Sequence, residues 1–224
     1  MEAQELNPFF SLITALSGGM WISLKVFFLT LLFSLPGGLL IAFGRMSKIK
    51  VISVPVNIFM LIIRGTPLML QIIFVYFAPA HISQWLGHRF HFDRFVAVII
   101  AFAVNYAAYF AEIYRGGIES IPKGQYEACK VLGFTKNQTF FKIILPQVIK
   151  RILPATGNEV ITLVKDTSLA QVIGVVELFR VAYNFASSRV SVAPLFVAGV
   201  FYFFMNWVVS FTFEKLEKKL SYYR

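Results

Sequence analysis

An apolar run from Ala155 to Val176 carries Asn158, Glu159, Thr162, Lys165, Asp166, Thr167 and Ser168. An ionisable group near the centre of a bilayer costs at least about 2.5–3.5 kcal/mol, so such groups usually face a cavity or a partner. Helical spacing puts Glu159, Thr162 and Asp166 on one face, at i, i+3 and i+7. Lys165 lies about 100° away, on the face of Asn158, Ile161 and Ser168. A zwitterion carries an ammonium and a carboxylate, and a helix offering both signs is a plausible lining for its path. A second reading stands beside this one. Asp166, Thr167 or Ser168 cap a helix break, and Glu159 sits at the cytoplasmic interface near Leu153. Arg64, Asn105 and Tyr106 are further candidates for the path, though Asn105 and Tyr106 equally suit bonds between helices. Gln71 and Glu112 add polar groups to neighbouring runs.

Other chemistry is missing from the sequence. There is no G-x-x-x-x-G-K-[ST] loop, so the chain is not expected to bind ATP. H-E-x-x-H and G-x-S-x-G are also absent. His88 and His91 read as surface residues of an outer loop, and no metal site is expected. An intramembrane enzyme would need a catalytic pair, and only Glu159 and Asp166 come close.

These residues need elements to hold them, and composition says which. Hydrophobic residues make up 58% of the 224, charged residues only 14%, and phenylalanine occurs 25 times. Soluble domains carry roughly a quarter charged residues. A chain this apolar needs lipid as the solvent for its outer face. The expected fold is an all-α integral membrane protein with about five transmembrane helices. Met20 to Phe43, Phe95 to Tyr114, Ala155 to Val176 and Pro194 to Phe213 are long enough to span, at about 20 residues each. A further run from Val51 to Ala80 is interrupted near Arg64. Within Arg64-Gly65-Thr66-Pro67, glycine ends a helix, threonine caps the next, and proline suits its first turn. Either span two is a broken helix with Arg64 inside the membrane, or residues 51–63 form an interfacial elbow and span two starts at Pro67. Pro36-Gly37-Gly38 in the first run permits a kink or close helix packing. The runs are continuous rather than alternating, which argues against a β-barrel.

The net charge of +10 is read as membrane orientation rather than nucleic-acid binding. Of 21 basic residues, 14 fall after span one, after span three and in the tail. The alternate loops hold Arg89, Arg94, Arg180 and Arg189. The positive-inside rule then puts the N-terminus outside and the C-terminus in the cytoplasm, as expected of a multi-pass protein of the cytoplasmic (inner) membrane. Glu2 and Glu5 precede the first run without a basic residue, the wrong start for a cleaved signal, so that run is expected to be kept. Cys129 is a single cysteine, which excludes an intrachain disulfide.

The segment from Gly116 to Leu153 is too long for a turn and too polar to span. Gln125 to Leu132 reads as a short helix, and Gly133 fits the left-handed position that ends it. Thr135 followed by Gln138 is a capping box that starts a second helix, expected to end near Pro146. A short helix between two spans makes a rigid knob on the cytoplasmic face. It suits docking, while the plain alternative is an interfacial helical loop.

The stretch EACKVLGFTKNQTFFKIILP resembles the EAA loop of ABC importer permeases. That pattern is E-A-A, three residues, G, nine residues, then I-x-L-P. Here it is Glu127, Ala128, Cys129, Gly133, Ile143, Leu145 and Pro146, with Cys129 replacing the second alanine. RGTP from Arg64, YFAEIYRGGIESIPKGQ from Tyr109 and LVKDTSL from Leu163 are similar to the polar amino-acid uptake branch of that family. The resemblance implies a type-1 transmembrane domain at 19–213 with its coupling loop at 116–153. An extracytoplasmic segment, 1–18, precedes it and a cytoplasmic tail, 214–224, follows. It also implies that Gly124, Glu127, Ala128, Cys129, Gly133 and Pro146 dock an ATPase. The implied partners are two ABC ATPase subunits, which hold the ATP and Mg, and an extracytoplasmic amino-acid-binding protein. This chain itself needs no cofactor. Five spans enclose too little volume for a gated path, so a second permease chain, identical or homologous, is expected. The function this implies is the permease subunit of an ATP-driven ABC importer of a polar amino acid. A passive channel or secondary carrier is the alternative.

Overall fold

A computed structural model describes residues 8–85, 87 and 90–220. Glu2, Glu5, His88 and Arg89 lie outside the described residues. The elements are helices α1 (Pro8–Arg45), α2 (Lys50–Gly65), α3 (Leu68–Trp85), α4 (Arg94–Glu119), α5 (Lys123–Val131), α6 (Lys136–Gln138), α7 (Leu145–Asp166), α8 (Leu178–Arg189) and α9 (Ala193–Leu220). A π-helical turn, Thr139–Ile144, joins α6 to α7, and a 3₁₀ segment, Thr167–Ile173, follows α7. Four helices, α1, α3, α4 and α9, are long and apolar enough to cross a membrane. A fifth span results if Lys136–Ile173 and Leu178–Arg189, bent by 59° at their break, count as one. The expected all-α, roughly five-span fold is therefore present.

Helices α1, α3 and α9 are apolar on every side, the pattern of a helix surrounded by lipid and other apolar helices. Phe196 and Phe203 of α9 and Leu40 of α1 are largely exposed, as lipid-facing side chains are. The core lies between α1, α4 and α7, where Leu16, Val26, Phe102, Phe110 and Leu163 are fully buried. Gly38 lets α1 approach α4 closely. A Cβ there would lie 2.8 Å from Phe110 Cβ and 3.0 Å from the Ala107 carbonyl oxygen. Pro36 is absorbed within continuous α1, so the Pro-Gly-Gly motif serves close packing.

Helix directions follow from the contacts. Arg45, at the end of α1, pairs with Glu112 near the end of α4, so these two helices run parallel. Arg151, early in α7, donates to the Ser120 carbonyl just after α4. Phe213, late in α9, packs at Gly157 of α7. The C-terminal ends of α1, α4 and α9 and the start of α7 thus share one end of the bundle, together with the basic connections.

One of the two open readings of the second run is met, and three other expectations change. The interrupted second run is two helices, and α3 alone is long and apolar enough to span. Helix α2 is separate and amphipathic, which matches the elbow reading. Thr66 does not cap α3 with its side chain; its hydroxyl donates back to the Ile62 carbonyl. The helix opened by Thr135 does not end near Pro146. The π-turn shifts the hydrogen-bond register just before it, with Leu145 N–H reaching the Phe140 carbonyl, and Pro146 then occupies the first turn of α7, where its missing N–H matters least. Lastly, α1 already begins at Pro8, so a segment ending at residue 18 does not stand apart from the first helix.

Candidate functional site

Two groups of residues stand out, at different places in the bundle. The first is the loop between α4 and α7. Helix α5 ends in a Schellman motif: Phe134 N–H reaches the Cys129 carbonyl at 3.0 Å and Gly133 N–H reaches Lys130 at 3.1 Å. Gly133 has φ +74°, the left-handed region expected of it. The capping box is complete, with Thr135 N–H on Gln138 Oε1 at 2.9 Å and Gln138 N–H on Thr135 Oγ1 at 3.3 Å. Gly124, Glu127, Ala128 and Gly133 are exposed, as is Pro146, while Cys129 turns inward. A small apolar cluster of Ile121, Ile144 and Val148 fixes the base of this loop. Beyond that base α5 is exposed nearly all round, and Val131 and Leu132 are 87% and 74% exposed. Apolar side chains presented on a rigid, capped helix mark a surface that a partner protein or the membrane interface covers.

The second group lies along α4 where it meets α7 and α2. Tyr106 donates its hydroxyl to Asp166 Oδ2 at 2.8 Å. Glu159, partly buried two turns earlier on the same face of α7, lies in the field of Asp166 and Arg64. The Arg64 guanidinium stands 5.4 Å over the Tyr109 ring and 3.6 Å from Glu112 Oε2. Glu112 also pairs with Arg45 and Arg115. The structure thus joins Tyr106, Glu159, Asp166 and Arg64 into one polar stripe.

The other predicted residues are placed differently. Asn105 donates to Gln71 Oε1 at 3.0 Å, and Gln71 in turn donates to the Ile63 carbonyl at 2.7 Å and Thr66 Oγ1 at 2.9 Å. Asn105 therefore ties α4 to the α2–α3 break. Thr167 and Ser168 donate to the Val164 and Lys165 carbonyls at 2.7 and 2.8 Å, which satisfies carbonyls where α7 becomes 3₁₀. That is the capping role, whereas Asp166 takes no part in it. Lys165 is exposed and makes no ion pair among the described residues.

Two features escaped sequence reading. Glu177 is fully buried and caps α8, accepting from Phe179 N–H at 2.7 Å and Arg180 N–H at 2.8 Å. It also accepts from Tyr202 of α9 at 3.0 Å and Ser23 of α1 at 3.4 Å. A carboxylate just before the Leu178–Arg189 helix was the available signal. The other is Arg45, which counted only toward topology yet shares Glu112 with Arg64 and Arg115.

No catalytic arrangement emerges from the stripe. Among the described residues, Asp166 holds a phenol, Glu112 holds arginines, and no His, Cys, Asp and Glu group of metal-binding size forms. The stripe can hold charged and hydrogen-bonding groups of a passing polar solute.

Comparison with known proteins agrees with this architecture. The sequence pattern of the family described as "Binding-protein-dependent transport system inner membrane component" matches residues 34–222. The L-cystine transport system permease protein TcyB of Bacillus subtilis is 33% identical, over 93% of this chain and 87% of its own length. The arginine transport system permease protein ArtQ of the same organism is 34% identical over 91% of each chain. Among solved structures, an amino acid ABC transporter with histidines superposes with a TM-score of 0.83 at 33% identity, covering 96% of this chain and 99% of that one. The MetNI methionine ABC transporter, at 19% identity and a TM-score of 0.74, shares the fold. This chain belongs to the family of inner membrane components of binding-protein-dependent transport systems.

Proposed function

We propose that this chain is the permease subunit of an ATP-driven importer of a polar amino acid. It works with a second permease chain, two ATPase subunits and an extracytoplasmic binding protein. One observation carries the reading: the capped, exposed helix α5, with Val131 and Leu132 presented to a partner at the basic end of the bundle. Its Gly124, Glu127, Ala128 and Gly133 surface seats on the ATPase. The base of the loop, from Cys129 to Pro146, transmits the movement into α7. The amino-acid substrate is inferred from the relatives, which are permeases for cystine and arginine.

The N-terminus is outside and the C-terminus in the cytoplasm, supported by the gathering of basic connections at the α5 end. In the cycle, a loaded binding protein docks on the outer loops, ATP closes the ATPase pair, and the loops move with it. The solute then passes along the stripe of Arg64, Tyr106, Glu159 and Asp166, with Lys165 exposed beside it. ATP and Mg belong to the partner subunits, and no nucleic acid is involved. The exposed loop weighs against a passive channel or secondary carrier, neither of which needs a docking surface.

The test is purification of the tagged chain from its native host in mild detergent. A stoichiometric soluble partner with a P-loop, lost on Gly133→Val, supports the assembly. A chain that elutes alone or only with itself would make the channel or carrier the better reading.

A further inference from the structure

A cleft between the end of α1 and helix α2 is lined by Arg45, Asn57, Ile58, Leu61 and Arg64. Its charges do not balance. Arg45, Arg64 and Arg115 share Glu112, Arg115 also meets Glu119, and Glu159 faces Arg64, so the surplus comes from exposed Lys48 and Lys50 at the start of α2. Its donors are not used up either. Arg45 makes one hydrogen bond among the described residues, to Glu112. Arg64 approaches Glu112 only at 3.6 Å, beyond hydrogen-bond distance, and its side chain is 38% exposed.

Helix α2 gives this cleft a direction. Val51, Val54, Ile58 and Leu61 form one stripe along it and are 84%, 50%, 53% and 76% exposed, while Met60 faces inward at 2%. Asn57 and Arg64, seven residues apart, lie on the edge of that stripe beside Leu61. Exposed Lys48 and Lys50 stand at the start of the helix. Guanidinium groups with free donors therefore adjoin a continuous apolar face. That pairing fits a molecule with an anionic head and an acyl tail, and a free anion would leave the apolar side unused.

We propose that this cleft binds the phosphodiester head of an anionic phospholipid. The phosphate sits between Arg45 and Arg64, Asn57 donates to it, and an acyl chain lies along Ile58 and Leu61. Arginine forks suit phosphate oxygens, and the surplus positive charge selects an anionic over a zwitterionic lipid. The bound lipid would hold α2 at the interface and offset the positive charge of Lys48 and Lys50 at its start. The site differs from the docking loop and shares only Arg64 with the proposed solute stripe, so Arg45 and Leu61 test it separately.

The experiment is native mass spectrometry of the purified full-length chain after incubation with phosphatidylglycerol or phosphatidylcholine. Phosphatidylglycerol should be retained in preference. Arg45→Gln and, separately, Leu61→Glu should each weaken that retention about fivefold to tenfold, the effect of one charge near a lipid surface. Leu61 is exposed, so its variant tests the site even if loss of the Arg45–Glu112 pair perturbs folding. Equal retention of the two lipids would overturn the proposal, as would phosphatidylglycerol binding unchanged in both variants. Displacement of the lipid by inorganic phosphate would mark a free-anion site and also overturn it.

Discussion

Replacing Glu177 with alanine should be among the most damaging single changes in the bundle. The carboxylate is fully buried and accepts from two backbone N–H groups and two hydroxyls, on α8, α9 and α1. Loss of a helix N-cap alone costs about 1 kcal/mol. Leaving buried donors unpaired costs about 1–3 kcal/mol more for each one that water does not reach. Ser23 has a second bond, accepting from Leu178 N–H at 3.2 Å, so it loses least. The Tyr202 hydroxyl also lies within reach of Thr167 and Ser23, so the N-terminus of α8 loses most. The sum is about 3–5 kcal/mol, the range seen when one partner of a buried polar cluster is removed. Glu177→Gln keeps one acceptor oxygen but turns an amide NH₂ toward a donor, at a cost of about 1–2 kcal/mol. The assay is thermal unfolding of the purified chain in one detergent, followed by tryptophan fluorescence, for wild type, both variants, Tyr202→Phe and the Tyr202→Phe/Glu177→Ala double variant. Tyr202→Phe should destabilise the wild type more than it destabilises the Glu177→Ala background, because the shared bond is already gone there. A Glu177→Ala protein within about 0.5 kcal/mol of wild type, or strictly additive effects, would refute the idea that this carboxylate ties the three helices together.

Other expectations follow from the same geometry. Gly38→Ala should destabilise by about 1–3 kcal/mol through overpacking against Phe110 and Ala107, read as a lowered unfolding midpoint. Gly133→Val should abolish ATPase co-purification, since φ +74° suits glycine, whereas Gly133→Asn should retain part of it; equal retention by both would count against a conformational role. Tyr106→Phe removes the phenol from Asp166 and should lower uptake in proteoliposomes while leaving ATPase docking intact. Unchanged uptake would take Tyr106 and Asp166 out of the solute path. Thr135→Ala should cost about 1 kcal/mol from the loss of its cap and loosen α6 from α5, read as faster hydrogen exchange across Lys136–Gln138.

The amino-acid sequence alone determined the membrane class, the roughly five spans and the short loop helix α5 with its caps. Each depends on interactions a few residues apart. Apolar run length sets a span. The Thr135–Gln138 box and the Gly133 turn close within five residues. Where two local readings competed, packing decided. Thr167 and Ser168 turned out to satisfy helix carbonyls, and Asp166 turned to Tyr106. Pro146 looked like a stop because proline breaks an α-register, yet the π-turn before it changes that register and lets the helix run on. The bonds that only the tertiary structure supplied join residues far apart in sequence: 60 positions from Tyr106 to Asp166, 67 from Arg45 to Glu112, and 154 from Ser23 to Glu177. A polar residue on an apolar helix announces that it needs a partner, since leaving it bare is costly. Which residue becomes that partner is settled only when helices from distant parts of the chain pack side by side.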